Sequence, residues 1–410
     1  MNQKNKRKII NDPVYGFLTL PSDLIFDLVE HPYFQRLRRI KQLGLAELVY
    51  PGAIHSRFHH ALGALQLTCR ALDVLKQKGA EISEHEYEAT CAAILLHDIG
   101  HGPFSHTLEY ILVKDLHHER ISTLIMEKMN QEFEGRLATC ISIFNNQYPK
   151  KFLHQLISSQ LDMDRLDYLS RDSFYSGVSE GVVSADRIIN MLNVVDNHLV
   201  LEEKGIYSIE KFIIARRLMY WQVYLHKTVV SADILLKQVL MRARNLAVDG
   251  EDVYATPALT PFLFSKPNEQ KFEQETDTWL ARFTLLDDAE LTVSIKQWQF
   301  HKDSILATLS KNFVERKLPK ILISNSVISA QELEAIQTEI KRKYKINEND
   351  LGYFIQSGTL ENNAYKQDTP ESISIIRKDG AVVDVTEVSD NYNLSALKKT
   401  VRKYYLCYMK

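Results

Sequence analysis

Cysteine, long apolar runs and an excess of either charge are all scarce in this 410-residue sequence. The four cysteines, Cys69, Cys91, Cys140 and Cys407, lie far apart and form no CxxC pair. This spacing argues against a disulfide framework and against a closed structural zinc site. We therefore expect buried thiols in a reducing cytoplasm.

The charge balance excludes two further classes of protein. The formal net charge is -2, from 50 basic and 52 acidic residues, so no global basic field indicates a nucleic-acid or membrane-surface partner. The basic start MNQKNKRK runs into IINDPVYG without an apolar segment, which argues against a secretory signal. Because no apolar run is long enough to span a bilayer, we expect a globular cytoplasmic protein.

Histidine, by contrast, is concentrated in one part of the chain. Nine of the 14 histidines fall between His55 and His118, and three of them lie in HDIGHGPFSH, residues 97–106. A single histidine on an apolar face is usually a core residue, but a cluster of this kind needs a chemical explanation. Two glycines and a proline within the stretch prevent a continuous helix.

Helices with short loops are predicted for about the first 318 residues. Apolar side chains recur every three or four positions from Arg57 to Lys78. Ser83 and Glu86 form a capping box for the next helix, which ends at His97. The other predicted helices cover residues 21–30, 31–44, 118–129, 152–172 and 208–245, with one more starting near Phe104.

Strands are predicted only beyond Leu318. The predicted strands cover residues 319–325, 353–358, 372–377 and 381–387, and the predicted helices cover residues 331–344 and 394–409. The expected fold class is therefore mainly α, with a helical domain over residues 1–318 and a small α/β domain over residues 319–410.

Two imidazoles and two carboxylates form a candidate metal site. His97 and Asp98 stand at a helix end, where both side chains can turn toward one ion, although such a pair also occurs as a helix cap. His60 lies on an earlier predicted helix and Asp164 on a later one. This ligand set suits Mn²⁺, Fe²⁺, Zn²⁺ or Co²⁺ without selecting one of them. Four protein ligands leave room for water on a six-coordinate ion, which favours a catalytic site.

Five segments resemble, in order, those of the HD superfamily of metal-dependent phosphohydrolases, and most closely its dNTP triphosphohydrolase branch. They are INDPVYG (10–16), FQRLRRIKQLG (34–44), YPGAIHSRFHHALG (50–63), HDIGHGPFSH (97–106) and DMDRLDYLSRD (162–172). The resemblance implies an HD-domain helical core with the ligands His60, His97, Asp98 and Asp164. It covers about the first 250 residues.

The same resemblance assigns roles to the histidines that are not ligands. His106 is the expected acid/base, with Glu109 to orient it, because imidazole transfers protons near neutral pH. His101 and His118 are expected to contact the α-phosphate and the surrounding network, although His117 could exchange roles with His118. The alternative is that His106 merely begins a helix.

Substrate contacts are expected along two helical stripes. Asp164, Tyr168 and Asp172 repeat at i, i+4 and i+8, and a similar stripe runs along the predicted helix 208–245. Such a stripe is more often a solvated face, but the resemblance favours a phosphate and sugar pocket. It implies triphosphate contacts from Arg57, Arg165, Tyr168 and Arg216, and deoxyribose contacts from Gln42, Leu43, Asp172 and Tyr224.

Two positions depart from the family pattern. The dNTP-hydrolysing members have a base-contacting glutamine where this chain has Leu225. Gln35 and Arg38 match the effector pocket of the mammalian SAM- and HD-domain enzyme, but Glu30 replaces an aspartate there. Base recognition and the need for a nucleotide effector are therefore open at this point.

The expected activity is hydrolysis of a dNTP to deoxynucleoside and triphosphate. Its expected cofactor is one divalent transition metal per chain, with Mg²⁺ accompanying the substrate phosphates. The resemblance also implies a homo-oligomer, either a dimer or a tetramer. One alternative is hydrolysis of another phosphoester, such as a nucleoside monophosphate or a cyclic nucleotide. The other is a nucleotide-sensing scaffold with little turnover, against which the two spare histidines argue.

Overall fold

Helices dominate the computed structural model, which describes residues 8–366, 372–389 and 399–410. The helices are α1 (Asp23–Glu30), α2 (Pro32–Gln35), α3 (Arg57–Gln77), α4 (Glu84–Leu96), α5 (His118–Glu132), α6 (Ala138–Phe144), α7 (Lys151–Gln155), α8 (Met163–Ser176), α9 (Ala185–Asn190), α10 (Ile206–Met219), α11 (Lys227–Val248), α12 (Thr260–Phe264), α13 (Glu269–Gln274), α14 (Thr276–Phe283), α15 (Asp288–Trp298), α16 (Ser304–Val314), α17 (Ala330–Tyr344) and α18 (Val385–Val388). The mainly α fold class is confirmed.

Three small sheets flank the helices. Their strands are β1 (Ile9–Asp12), β2 (Gly16–Thr19), β3 (Leu192–Val195), β4 (His198–Glu202), β5 (Lys320–Ser324), β6 (Ile355–Asn362), β7 (Ser374–Ile376), β8 (Val382–Asp384) and β9 (Val401–Tyr408). β1 and β2 form a hairpin, the second sheet has the order β3-β4-β7-β8, and the third has the order β5-β9-β6. Every pairing is antiparallel except that of β4 with β7.

Helices α3, α4 and α8 pack together and carry the metal-ligand motif. The predicted capping box opens α4, because the Ser83 hydroxyl accepts from the Glu86 amide and the Glu86 carboxylate accepts from the Ser83 amide. The last eight residues of α4, 89–96, are all buried. Because this helix is covered on every side, its carboxyl end brings His97 into the interior of the protein.

Two of the predicted helices are wrong because tertiary contacts override local propensity. The helix predicted for residues 31–44 ends at Gln35 and continues only as a 3₁₀ turn over Arg36–Arg39. No helix starts near Phe104, which has a left-handed backbone (φ 54°) and begins a single 3₁₀ turn. The Phe104 amide donates instead to the Asp288 carboxylate at 2.7 Å.

Two other predicted helices are interrupted. The helix predicted for residues 152–172 ends at Gln155 and resumes at Met163, where the Asp162 side chain caps α8. The helix predicted for residues 208–245 is broken by a π turn over Tyr220–Tyr224, after which the His226 ring caps α11. Such π turns are frequent at functional sites.

The final predicted helix, over residues 394–409, is also wrong. Residues 394–398 lie outside the described part of the chain, and Val401–Tyr408 forms strand β9. β9 is the central strand of its sheet, with Leu406 opposite Leu322 on β5 and Ser357 on β6. Its tyrosines suit a pleated, half-buried surface, and the two flanking strands supply the backbone hydrogen bonds.

The predicted division after residue 318 does not separate the sheets. β7 pairs in parallel with β4, which places Ile375 opposite Leu201. The main hydrophobic core likewise contains Leu351 and Leu406 together with the helical region. The two-domain division stays a prediction, and the described segments share one core. Over the described residues, no helix combines the length and the apolar character that crossing a membrane requires.

Arg36 provides a test of how the histidine-rich loop is fixed. Its guanidinium is 1% exposed and donates to the carbonyls of Ile99, His101 and Leu286 at 2.8–3.1 Å. Replacing Arg36 with methionine fills similar volume but leaves these carbonyls without a donor, so we predict a loss of about 3 kcal/mol or more in unfolding free energy. Urea denaturation of the wild-type and variant proteins measures this change in unfolding free energy. Arg136→Met, at an exposed arginine, is the control and should change stability by less than about 0.5 kcal/mol.

Candidate active site and metal centre

The four predicted metal ligands converge at the centre of the fold. Ligand atoms of His60, His97 and Asp164 all lie within 4.8 Å of one another. His60 Nε2 is 3.0 Å from Asp164 Oδ1 and 3.4 Å from His97 Nε2. Asp98 adjoins them, with Oδ1 3.4 Å from His97 Nε2 and Oδ2 3.7 Å from His60 Nε2.

The electrostatics of this cluster suit a cation. Burial lowers the pKa of His60, but its hydrogen bonds to Asp164 and Asp167 outweigh burial and raise it to about 10. Burial raises the pKa of Asp98, but the charge of Arg57, together with those of His97 and His101, more than reverses this and holds the pKa well below its usual range. The site therefore stabilises positive charge beside ionised carboxylates. Two imidazoles and two carboxylates in this environment fit a divalent transition metal.

Each imidazole ligand is oriented by a bond to its other nitrogen. His60 Nδ1 lies 2.7 Å from Asp167 Oδ2, and His97 Nδ1 lies 2.6 Å from the Ile94 carbonyl. Arg171 in turn donates to Asp167 and to Asp12 on the N-terminal hairpin. Partners of this kind fix the tautomer that turns Nε2 toward the ion. Sequence reasoning missed Asp167, although its position three residues after Asp164 places it near the same face of α8.

Two glycines allow the helices to approach this closely. A Cβ on Gly63 would lie 2.0 Å from Asp167 Oδ1, and one on Gly100 would lie 2.2 Å from the His118 carbonyl. Any side chain at either position would push α8 or α5 away from the metal ligands.

A second cluster of imidazoles lies beside the metal ligands. His101 and His118 stack with their ring centroids 3.9 Å apart, and His106 packs edge-on against both. Glu109 joins them, because its carboxylate lies 3.1 Å from His106 Nδ1 and 2.5 Å from His118 Nδ1. The His106 side chain is 66% exposed, so it can meet a bound substrate.

Two imidazoles of this cluster have a lowered pKa. Burial, followed by the charge of Arg57, keeps the pKa of His101 well below its usual value, and burial also lowers the pKa of His118. Both rings are therefore neutral near pH 7. His117, the predicted alternative to His118, is 41% exposed and lies 3.3 Å from Glu109. His118, by contrast, lines the cavity described next.

A cavity of about 520 Å³ opens beside both clusters. Most of the predicted catalytic and substrate residues line it, namely Gln42, Leu43, Arg57, His101, His106, His118, Arg165, Tyr168, Asp172 and Tyr224, together with the ligands Asp98 and Asp164. Glu109 lies behind the histidines, and His60 is buried beneath the cavity. A second cavity of about 380 Å³ reaches His97, Asp98 and Asp164 from another side.

Three of the predicted substrate contacts are differently arranged from the expectation. Arg216 is not among the residues lining the cavity, although its charge acts on Tyr168, whose pKa burial raises. Arg57 is 2% exposed and pairs with Asp98 and with the Ser105 hydroxyl, so it acts on the metal ligand itself. Asp172 already accepts from Tyr224.

His55 is a further residue that sequence reasoning did not assign. Its Nε2 lies 2.7 Å from Asp172 Oδ1, and its ring stacks on Tyr175 at 4.5 Å. His55 and Tyr224 thus hold the Asp172 carboxylate at the cavity wall from two sides. The only sequence signal for it was its place at the start of the histidine-rich region.

Comparison with known proteins adds independent evidence. The HD domain family model matches residues 57–172, and the model of the HD associated region matches residues 183–257. The uncharacterized protein YwfO of Bacillus subtilis is 35% identical over 324 residues, which cover 77% of this chain and 71% of that protein. The chain belongs to the HD-domain family.

Other relatives extend this assignment. A crystal structure of a phosphohydrolase from Bacteroides thetaiotaomicron matches with a TM-score of 0.94 and 50% identity, over 98% of this chain and 100% of that one. The SAMHD1 homolog of Dictyostelium discoideum, named a deoxynucleoside triphosphate triphosphohydrolase, is 33% identical over 59% of this chain, which spans 50% of that relative. The predicted resemblance is confirmed, and this HD-domain protein is placed among phosphohydrolases with a divalent-metal site.

Removing two of the ligands tests the metal centre. We predict that the double variant His97→Ala/Asp98→Ala retains the fold and loses the ion, because one imidazole and one carboxylate remain from the four ligands. Elemental analysis after dialysis, with circular dichroism for the fold, measures both. The matched control is His198→Ala/Asp196→Ala, at an exposed turn. Metal bound in full by the first variant would show that the ligands lie elsewhere.

Proposed function

We propose that this HD-domain protein is a dNTP triphosphohydrolase, which converts a dNTP and water to deoxynucleoside and triphosphate. The observation that carries the proposal is one cavity lined by metal ligands, three imidazoles, the cation Arg165 and the tyrosines Tyr168 and Tyr224. The name of the Dictyostelium relative supports the same substrate class.

Different residues along the cavity would have different roles in the reaction. A bound divalent ion would polarise a phosphoryl oxygen and lower the pKa of water toward about 7. Arg165 lies on the cavity wall with its Nε on the Ser159 carbonyl at 2.5 Å, a position from which the guanidinium can bind phosphate. His106, held by Glu109, would give a proton to the departing O5′ of the deoxynucleoside.

We expect the deoxyribose to lie against the part of the cavity wall that Asp172 forms. Asp172, fixed by His55 and Tyr224, offers carboxylate oxygens to the 3′-hydroxyl, and Gln42 and Leu43 lie on the same cavity wall. The Gln42 side-chain oxygen is buried without a hydrogen-bond partner in the described structure, which leaves it able to accept one from a ligand.

Leu225 is the reason to consider a second class of substrate. It lines the cavity at the position where the dNTP-hydrolysing relatives are expected to have glutamine, so the polar contact to the base is missing there. Hydrolysis of another phosphoester, such as a nucleoside monophosphate or a cyclic nucleotide, would use the same metal ligands. The expected homo-oligomer and nucleotide effector also remain proposals from the family resemblance.

Product analysis separates these functions. The purified protein with Mn²⁺ should convert dNTPs to deoxynucleoside and triphosphate, resolved by ion-exchange chromatography, while His97→Ala/Asp98→Ala should release neither product. Release of phosphate from a monophosphate, or ring opening of a cyclic nucleotide, with dNTPs left intact would establish the second candidate. Nucleotide binding without any product would support the sensing scaffold.

The role of His106 gives a sharper prediction. Because His106 contacts Glu109 and is not among the predicted metal ligands, His106→Ala should lower turnover by about 10²-fold or more while metal content stays unchanged. Arg165→Ala should instead weaken nucleotide binding with the metal retained. His198→Ala, at an exposed histidine, is the control. Wild-type turnover by the His106 variant would exclude its catalytic role.

A further inference from the structure

A carboxylate stands on the wall of the cavity away from the metal. Asp233 lies on α11 one turn after Val229, and both line the cavity together with Thr107 and Leu225. Asp233 Oδ1 accepts from the Thr107 hydroxyl at 2.8 Å, and no other hydrogen bond to its side chain occurs within residues 8–366, 372–389 and 399–410. The carboxylate therefore keeps unused acceptor sites that face the cavity.

The Asp233 carboxylate is partly buried and has few stabilising partners. Burial raises the pKa of Asp233 to about 6, although the Thr107 hydroxyl and the charge of Lys237 act in the opposite direction. The group is still mainly ionised at pH 7. A partly buried anion of this kind gains from hydrogen-bond donors and rejects acceptors placed against it.

The rest of the cavity lining indicates which part of a bound nucleotide would contact Asp233. The phosphates belong with the metal ligands and Arg165, and the sugar belongs with Asp172. The part of the wall that is left includes Leu225, Val229, Thr107 and Asp233, and Leu225 stands at the position that the family resemblance assigns to the base, so a nucleotide seated in this way directs its base toward them.

We propose that Asp233 reads the Watson–Crick edge of the base and makes this enzyme prefer guanine nucleotides. This inference rests on the proposed function and names the substrate within it. Leu225 and Val229 supply apolar contact to the ring, and Thr107 positions the carboxylate.

The chemistry of the bases supports guanine. A carboxylate only accepts hydrogen bonds, and guanine presents two neighbouring donors, N1–H and the 2-amino group. Adenine and cytosine present one amino donor next to a ring-nitrogen acceptor, and thymine presents one donor between two carbonyl oxygens. Each of these would set a lone pair against the Asp233 charge. Sites built around buried polar groups discriminate strongly against ligands that leave them unpaired.

A competition experiment on the metal-loaded wild-type enzyme tests the preference. An equimolar mixture of dGTP, dITP, dATP, dCTP and dTTP gives ratios of kcat/KM from the rates at which each disappears. We expect dGTP to exceed dITP, which lacks only the 2-amino group, by about tenfold, as for loss of one charge-assisted hydrogen bond. Equal rates for dGTP and dITP would overturn the proposal without any variant.

Asp233→Asn then tests the residue itself. The amide is of the same size but presents a donor beside an acceptor, so the guanine preference should disappear and dATP or dCTP should gain. Asp249→Asn, at the exposed carboxyl end of the same helix, is the control and should keep the wild-type ratios. An unchanged preference in Asp233→Asn would mean that the carboxylate only fixes the Thr107 loop, which would overturn the proposal.

Calorimetric titration of each nucleotide into the metal-loaded His106→Ala variant, together with turnover by the wild-type enzyme, distinguishes the base preference from the proposed function. Binding of all five nucleotides with equal affinity and equal turnover would remove the role of Asp233 while the proposed function stands. No binding and no turnover of any dNTP would remove the proposed function and the base preference with it.

Discussion

A buried chain of charges connects the N-terminal hairpin to the metal centre. Arg171, which is completely buried, pairs with Asp12 at 2.8 Å and with Asp167 at 2.9 Å, and Asp167 holds His60 Nδ1. Removing one member of such a network leaves an unpaired buried charge and typically costs about 3–5 kcal/mol. The orientation of His60 therefore depends on a residue of β1 that is distant in sequence and has no part in the chemistry.

The contact between Asp167 and His60 also requires that the surrounding helices pack closely. The carboxylate of Asp167 reaches His60 only because Gly63 has no side chain between α3 and α8. The loop that follows His97 is held in the same manner from outside, since Arg36 binds its carbonyls and Asp288 accepts from the Phe104 amide. A loop with left-handed residues at Phe104 and Ser105 stays in place because these tertiary bonds fix it.

Many of the side chains that the sequence singled out lie together in the structure, whereas the path of the backbone was predicted less well. Asp164, Tyr168 and Asp172 line one cavity because helical spacing alone puts them on one face. The 3₁₀ turn over Ser105–Thr107 depends on Asp288, more than 180 residues away, which no local pattern shows. Strand β9 likewise depends on ladders with β5 and β6. Asp233 gave no signal, because a single acidic residue on an amphipathic helix is usually solvated.

The proposed binding of a substrate anion beside two carboxylates depends on the charges of the site. The predicted ligands bring two negative charges, from Asp98 and Asp164, and a divalent cation would match them. Arg57, paired with Asp98, and Arg165, paired with Asp162, would then be the cations beside the ion, while the carboxylates Asp172 and Asp233 lie elsewhere on the cavity wall. A bound divalent ion would balance the ligand carboxylates that otherwise repel the substrate phosphates, so metal binding and phosphate binding should favour each other. Arg57 stays a predicted phosphate contact, since it lines the cavity, and it also pairs with the predicted ligand Asp98.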